Sequence, residues 1–455
     1  MPDRPAVPTQ PAGATLPASA ADGRTPLLPL AWLFVFVTLI IFLRSPSAFL
    51  HPMLPYEDGT HLYAFYVGNP DLSRLFRFYA GYISLGPNAA GYLISNAAPV
   101  TAPYLMPLAS LVIAGAAMTV FALRRFRCII PSDAGRVAIC VAIAAMPLGD
   151  YGITSYLSYS LWNLLLIALL LTAAPLPASR PARLLQFAFT SLAIWSNPLS
   201  VVFIPLCLGL LYYRRTPEDR AFNAGLIAVT LLYIALGIRP ETGAGEAAPS
   251  SIAAAVFTPR YILDRVVFET FAGSRIRAAL HNRGLSALVY VGGACLSAAI
   301  AAALYLLRHR LTTAHRRALA GAALLILALS LLSVVGRGID ADARLGAWNT
   351  RYFYIQRYAL LLILAVAAAL AIPELRRRFS LAIPAAAVVL FIIALNILER
   401  PFFTPPPART AELLQFTRLV AAELDKPAAS RSTDPLVFPK DGRWDIRVLP
   451  ATLPD

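Results

Sequence analysis

Long apolar stretches separated by short polar segments dominate the chain. The stretches cover 27–43, 103–123, 135–149, 157–175, 184–196, 198–213, 221–238, 285–307, 318–336, 357–373 and 380–398. A helix needs about 20 mostly apolar residues to cross the hydrocarbon core of a bilayer. The pattern therefore predicts an all-α fold, a polytopic transmembrane helix bundle of about eleven helices that occupies residues 27–398.

Two of these stretches, 184–196 and 198–213, are separated only by Ser196-Asn197-Pro198. Together they are too long for one membrane crossing and too short for two, and a proline ends a helix at this point. We predict a short broken hairpin that enters and leaves the membrane on one face. Its non-helical backbone must then be buried in protein or line a cavity.

Arginine clusters fix the predicted orientation. They contain Arg124, Arg125, Arg127, Arg180, Arg183, Arg214, Arg215, Arg308, Arg310, Arg316, Arg317, Arg376, Arg377 and Arg378. All of them fall on one face if 184–213 is a broken hairpin, and the positive-inside rule assigns that face to the cytoplasm. Residues 1–26 then form a disordered cytoplasmic N-terminus, and 27–43 serves as a signal anchor in the inner (cytoplasmic) membrane of a bacterium.

The opposite, external face receives the loops 44–102, 239–284 and 337–356 and the C-terminal tail 399–455. Within the first loop, glycines, prolines and asparagines make 82–98 a poor lipid-facing span, so we predict a helix there that lies on the membrane surface. The tail is expected to fold as a small external appendage. Apolar positions from Leu413 to Leu424 suit one face of a helix, and 444–448 alternates as a strand does.

Composition supports lipid as the surrounding solvent, because 58% of the residues are hydrophobic and 14% are charged. Soluble domains carry about a quarter charged residues. The formal net charge of +15 comes from arginines between apolar stretches, so it indicates membrane lipids as partners and no nucleic acid.

The first external loop carries two adjacent carboxylates in Glu57-Asp58-Gly59. A carboxylate near a bilayer is costly unless it is paired, metal-bound or hydrated, and neighbouring carboxylates raise each other's pKa. We interpret the pair as a general base or a metal ligand, with a solvated loop acid as the alternative. Asp150, at the external end of the third stretch, could approach the same cavity, and His61 could bind a metal ion or relay a proton.

Arginines are also frequent in the external loops, against the positive-inside trend. A guanidinium binds phosphate through a planar fork, so we predict that at least one of Arg337, Arg351 and Arg357 binds phosphate. The alternatives are contacts with anionic lipid headgroups and salt bridges to Asp264, Glu269, Asp340 and Asp342. Tyr354 belongs to an aromatic group beside these arginines and could stack on a sugar or belong to an interfacial belt.

Several short motifs together carry a resemblance to a known family. They are Tyr56-Glu57-Asp58-Gly59, Tyr79-Ala80-Gly81-Tyr82, Gly149-Asp150, Leu161-Trp162, Ser196-Asn197-Pro198, Arg351-Tyr352-Phe353 and Phe438-Pro439. The chain resembles the GT-C superfamily of membrane glycosyltransferases, and within it a bacterial group with an Ala-Glu-Asp-Gly-like motif after the first helix. The resemblance implies a GT-C-like bundle that moves sugar from a polyprenyl-phosphate donor to a lipid-linked or cell-envelope glycan acceptor.

The resemblance also implies roles for individual residues. Asp58 or Glu57 would remove the proton from the acceptor hydroxyl in an inverting displacement, with Asp150 nearby. Arg351 or its neighbours would stabilise the leaving phosphate. A divalent cation (Mg²⁺ or Mn²⁺) could be held by the three carboxylates, or arginine could replace it.

Three other functions fit parts of the pattern. A transporter or lipid-linked-sugar flippase would use the broken hairpin to frame a site at the membrane midplane. A polysaccharide polymerase or ligase is also rich in external arginines. A catalytically inactive membrane subunit could have the same fold, because function belongs to the site and not to the fold.

Overall fold

The computed structural model describes residues 27–51, 54–55, 57–69, 71–147, 152–213, 216–239, 258–337, 351–378, 382–399, 410–438 and 446–449. These residues are predominantly helical. Two short antiparallel strand pairs accompany the helices, one in the first loop and one in the C-terminal tail.

The long helices follow one another with short connections. The first half of the chain forms α1 (Leu27–Arg44), α2 (Leu85–Ala97), α3 (Ala102–Thr119), α4 (Asp133–Ala145), α5 (Ser160–Ala173), α6 (Arg180–Ile194), α7 (Phe203–Tyr213) and α8 (Pro217–Gly237). The second half forms α9 (Glu269–Asn282), α10 (Ser286–Leu306), α11 (Thr313–Arg337), α12 (Tyr354–Arg378), α13 (Ala382–Glu399) and α14 (Thr410–Leu424).

Shorter elements lie between them. Single helical turns occupy Ser47–Leu50, Ala64–Tyr66 and Gly152–Ser155, and π-helical turns occupy Asp58–Tyr63 and Ile262–Phe268. The 3-10 turns are Leu72–Phe76, Val120–Ala122, Arg124–Cys128, Leu157–Tyr159, Pro198–Val202, Arg308–Arg310 and Ala428–Ser430. The strands are β1 (Phe78–Tyr79), β2 (Tyr82–Ile83), β3 (Leu436–Phe438) and β4 (Ile446–Val448).

Among the described residues, 5 helices are long and apolar enough to cross a membrane. They are Ala102–Ala122, Pro217–Gly237, Ser286–Leu306, Thr313–Val334 and Arg351–Pro373. Shorter apolar helices cover Leu28–Arg44, Leu157–Ala173, Pro198–Tyr213 and Ala386–Glu399. The chain is thus an all-α protein with the helices of a multi-pass membrane protein, while the count of about eleven helices and the orientation of the termini stay predictions.

Capping residues explain where helices begin earlier than the apolar pattern alone indicates. α4 begins at Asp133 because the side chain of Ser132 accepts a hydrogen bond from the Gly135 backbone N–H at 3.1 Å. It ends at Ala145, close to Pro147, which disfavours a helical residue before it. Helix α8 likewise begins at Pro217, directly after the capping residue Thr216.

The C-terminal tail packs against the first loop. Strand β3 pairs antiparallel with β4, with Leu436 opposite Val448. The Phe416 ring of α14 lies 6.4 Å from the Tyr63 ring, between centroids. The Ile446 side chain sits so close to Gly59 that an added Cβ there would lie 2.6 Å from its Cδ1 atom. The tail therefore packs against the π-helical turn that follows Glu57.

A tight hairpin forms the other side of the first loop. β1 and β2 are joined by Ala80 and Gly81, which have φ values of 51° and 79°. Two central residues with positive φ are what a type I′ turn requires, and glycine accepts that conformation without strain. The hairpin is fastened to the end of α8, because Tyr82 forms an isolated antiparallel bridge with Ile238.

Candidate active site

A cavity of about 490 Å³ lies where the first loop meets the helix bundle. The C-terminal ends of α8 and α11 and the segments just before α5 and α12 line it, together with the β1–β2 hairpin and the start of α2. The break of the predicted broken hairpin also contributes, through Pro198 and Leu199. The backbone at this break is satisfied in part by the first loop, since the Ser84 hydroxyl donates to the Ser196 carbonyl oxygen at 3.1 Å.

The cavity wall combines charged groups with aromatic rings. The ionisable side chains other than tyrosine are Glu57, His61, Arg77, Arg239 and Arg351. The aromatic rings, in addition to His61, are Tyr79, Tyr82, Tyr159, Trp162 and Tyr352. Aromatic faces and hydrogen-bonding groups suit a sugar, and guanidinium groups suit a phosphate. The wall therefore has the chemistry that a sugar phosphate needs.

Glu57 is the carboxylate that reaches this cavity. It lies directly before the π-helical turn Asp58–Tyr63, and its Oε2 atom is buried and accepts no hydrogen bond from any described residue. A buried carboxylate oxygen without a donor is costly unless a ligand or a proton completes it. This oxygen therefore has a hydrogen-bonding capacity that no described residue uses.

Asp58 points away from the cavity and is fully buried. Its Oδ2 atom accepts the Leu157 backbone N–H at 2.7 Å, and its Oδ1 atom accepts the Ser158 backbone N–H at 2.8 Å. Burial raises the pKa of Asp58 to about 7, although these hydrogen bonds act to lower it. Asp58 fastens the first loop to the start of α5 and so fixes the position of Glu57.

His61 lines the cavity with its ring against Tyr79, at 3.9 Å between centroids. Burial lowers the pKa of His61 to about 4, and the nearby charge of Arg77 acts in the same direction. The imidazole is therefore neutral at physiological pH. Its Nδ1 atom is buried and has no hydrogen-bond partner among the described residues.

This pKa predicts an acid-dependent loss of stability. Between pH 6.5 and about 4, the unfolded chain takes up a proton at His61 that the folded protein does not bind. The contribution of His61 to stability is expected to be lost as the pH falls through that window. Measured as the thermal unfolding midpoint, the loss should be smaller in His61→Gln than in wild type. Asp58 contributes the opposite slope, so the comparison with the variant isolates His61, and identical pH profiles would contradict this prediction.

Arg351 lines the same cavity as Glu57, and the opposite charges of the two side chains attract each other. The Arg351 guanidinium donates a hydrogen bond to the Tyr159 hydroxyl and a second, at 3.4 Å, to the Tyr352 hydroxyl. Its central carbon lies 4.5 Å from the centroid of the Tyr159 ring. These contacts hold the guanidinium in place beside the only carboxylate that lines the described cavity.

The remaining predicted site residues lie elsewhere. Tyr354 is buried behind the cavity, where its hydroxyl donates to the Asn163 side-chain oxygen at 2.7 Å. Arg357 is also buried and forms an ion pair with Glu269 at 2.6 Å. Arg337 is the last residue of α11. The predicted site residue Asp150 lies outside the described residues.

Arg357 belongs to a buried ion cluster that includes Asp264 and Arg265 of the π-helical turn Ile262–Phe268. Glu269 also pairs with Arg265 at 3.3 Å, and Arg277 pairs with Asp264 at 2.6 Å. Salt bridges to acids that include Asp264 and Glu269 are the predicted alternative to phosphate binding by the external arginines, and Arg357 forms one of them. In this cluster the carboxylates compensate buried arginines, which is how charged groups are tolerated away from water.

The divalent cation that the resemblance implies stays a prediction, because Asp150, one of its three predicted ligands, lies outside the described residues. Both Asp58 oxygens already accept backbone N–H groups, which leaves Glu57 as the available carboxylate. No group of three or more His, Cys, Asp or Glu side chains among the described residues is arranged to hold a metal ion. Mg²⁺ and Mn²⁺ take several oxygen ligands, so the described part of this site offers too few.

Sequence reasoning missed Arg77 and Tyr159 as cavity residues. Arg77 directly precedes the Phe78-Tyr79-Ala80-Gly81-Tyr82 segment, and the tight turn of that segment was the available signal.

Comparison with known proteins found no family model, no curated protein and no solved structure that matches this chain.

Proposed function

We propose that this protein is a membrane glycosyltransferase that moves a sugar from a polyprenyl-phosphate donor to a hydroxyl group of a lipid-linked or cell-envelope glycan acceptor. The observation that carries the proposal is that Glu57 and Arg351 line one aromatic-rich cavity at the end of several apolar helices. A carboxylate and a guanidinium in one cavity supply a proton acceptor and a phosphate ligand, the two groups that this transfer needs.

The reaction is a single displacement at the anomeric carbon. Glu57 Oε2 takes the proton of the acceptor hydroxyl while the acceptor oxygen forms a bond to the anomeric carbon. The bond between that carbon and the phosphate oxygen breaks, and the lipid phosphate leaves with the electron pair. Arg351 stabilises the negative charge that develops on the phosphate. Attack opposite the leaving group inverts the anomeric configuration.

The proposal assigns the base to Glu57 and a positioning role to Asp58. In a helix, successive side chains point about 100° apart, so neighbours do not face the same site. Asp58 uses both oxygens for backbone N–H groups, whereas Glu57 keeps one buried oxygen without a donor. The cavity would face the non-cytoplasmic side of the bacterial inner membrane, as the arginine clusters predict.

Transfer of labelled sugar in proteoliposomes tests this function. We expect wild-type protein to move sugar from at least one polyprenyl-phosphate sugar to a glycan acceptor extracted from bacterial membranes. The lipid phosphate should be released at the same time. A panel of donors that differ in the sugar covers the unknown specificity. Protein that binds these donors but forms no glycosidic bond with any of them would contradict the proposal.

A lipid-linked-sugar flippase is the second candidate, and the broken hairpin supports it. Pro198 and Leu199 sit at a helix break and line the cavity, as broken helices do in transporters. A flippase would expose the labelled headgroup on the opposite leaflet without forming a new covalent bond. The same proteoliposomes distinguish the two functions, because the lipid-linked sugar stays chemically intact only in flipping.

Replacing Arg351 should impair the leaving-group step. We expect Arg351→Gln to lower the rate of transfer about 10²–10³-fold, the usual effect of losing one electrostatic stabiliser of a developing anion. Arg74→Gln is the matched control, because Arg74 is an arginine of the first loop that does not line the cavity. Equal rates in the two variants at equal expression would contradict this role for Arg351.

A further inference from the structure

Two more arginines line the cavity on either side of the β1–β2 hairpin. Arg77 directly precedes β1, and Arg239 follows the Ile238 bridge at the end of α8. The Arg239 backbone N–H donates to the Gly81 carbonyl oxygen at 2.7 Å. Two arginines that are far apart in the sequence therefore line one cavity beside the same hairpin.

Each guanidinium lies against an aromatic ring. The Arg77 central carbon is 3.7 Å from the centroid of the Phe65 ring, and that of Arg239 is 3.9 Å from the centroid of the Phe78 ring. A guanidinium stacked on a ring keeps its in-plane N–H groups available for oxygen atoms. Stacking also limits the side-chain entropy that is lost when an anion binds.

Neither arginine has a carboxylate partner in the described part of the chain. The ion pairs between described residues involve neither Arg77 nor Arg239. In the buried cluster around Glu269, by contrast, the arginines are paired with acids. Arg77 is half-buried and Arg239 is exposed, and both line a cavity without forming an ion pair with a described acid, so their charges are available to an anion from outside.

The charge of the cavity leads to the same conclusion. Arg77, Arg239 and Arg351 line it with Glu57, and His61 is neutral at physiological pH because its pKa is about 4. A single lipid monophosphate beside Arg351 would leave the cations of the hairpin uncompensated. The cavity thus has room and charge for a second anionic group.

We propose that Arg77 and Arg239 form a second anion subsite that binds a phosphate-type group at the β1–β2 hairpin. This inference rests on the proposed function, in which Arg351 binds the first phosphate. The second group is either the outer phosphate of a lipid diphosphate donor or an anionic group on the acceptor. In both cases the subsite selects substrates that carry more negative charge than a monophosphate donor and a neutral acceptor.

Binding measurements on the full chain in nanodiscs test the subsite. The probes are farnesyl phosphate, farnesyl diphosphate and inorganic phosphate, the last also in the presence of saturating farnesyl phosphate. The variants are Arg77→Gln, Arg239→Gln and Arg351→Gln. Arg74→Gln is the matched control, because Arg74 also lies over the Phe65 ring, at 4.9 Å, without lining the cavity. Unchanged thermal midpoints show that each variant is folded.

We expect Arg77→Gln and Arg239→Gln each to weaken binding of one probe about tenfold or more, the effect of losing a charge-assisted hydrogen bond. If that probe is farnesyl diphosphate, and wild type prefers it to farnesyl phosphate, the donor supplies the second anion. If that probe is inorganic phosphate added to the farnesyl phosphate complex, the acceptor supplies it.

Affinities that change no more than in Arg74→Gln would overturn the subsite. Failure of the proposed function gives a different result. In that case wild type binds neither prenyl phosphate, while inorganic phosphate still binds and depends on Arg77 and Arg239. That outcome keeps the anion subsite and removes the lipid-phosphate donor.

Discussion

Glu57→Gln is expected to lower sugar transfer about 10²–10⁴-fold, the range for loss of a general base. Glutamine keeps the size and the hydrogen-bonding oxygen of the side chain but cannot take a proton at neutral pH. Glu57 is partly exposed to the cavity and makes no hydrogen bond through its Oε2 atom, so the fold loses little. The thermal unfolding midpoint should therefore stay close to that of wild type while the rate of transfer falls.

The matched control for this variant is Asp425→Asn, which removes one exposed carboxylate from the tail. Its rate of transfer should equal that of wild type. Transfer that survives in Glu57→Gln at the wild-type rate would remove Glu57 as the base. A lowered thermal midpoint that accounts for the whole loss of transfer would also contradict the proposed role.

Asp58→Asn is expected to destabilise the protein. Both carboxylate oxygens accept backbone N–H groups at the start of α5, and an asparagine side chain offers one oxygen for two donors. The NH₂ group of the asparagine would then face one of the two backbone N–H groups, that of Leu157 or Ser158. Leaving one buried donor unsatisfied costs about 1–3 kcal/mol, so the thermal midpoint should fall by several degrees.

The same substitution at Asp71 provides the comparison. Asp71 lies in the same loop but is exposed, and it caps the 3-10 turn that begins at Leu72 by accepting the Ser73 N–H at 2.9 Å. Asparagine caps a helix about as well as aspartate, so Asp71→Asn should leave the midpoint nearly unchanged. A stable Asp58→Asn protein that has lost all transfer would instead make Asp58 a catalytic group.

These two variants separate what the sequence could predict from what it could not. The Glu57-Asp58 pair stood out because acids are rare in this chain and costly near lipid. Which of the two lines the cavity depends on the direction of the π-helical turn and on the contact with Leu157, about a hundred residues away in the sequence. No local pattern contains that contact, so the sequence left the choice open.

The arginines illustrate the same limit. Arg351 and Arg357 are both close to the start of α12 and looked alike in the sequence. In the fold Arg351 lines the cavity, whereas Arg357 is buried with Glu269. Glu269, the partner of Arg357, is the first residue of α9, and tertiary packing brings the two side chains together. The length of an apolar stretch, in contrast, is a local property, and such stretches predicted the 5 described helices that are long and apolar enough to cross a membrane.

The tail shows a third case. The amphipathic pattern from Leu413 to Leu424 predicted a helix, and α14 covers it. The contact of Ile446 with Gly59 joins the tail to the first loop, and nothing in either segment alone indicates it. Long-range contacts of this kind determine where the site residues lie.

The most direct measurement is a structure of the protein in nanodiscs with a polyprenyl-phosphonate sugar, whose anomeric linkage cannot be transferred. We expect the phosphonate group within hydrogen-bond distance of Arg351 and the anomeric carbon on the side of the cavity that Glu57 lines. A headgroup bound elsewhere, for example at the ion cluster around Glu269, or a cavity that stays empty at saturating ligand, would contradict it.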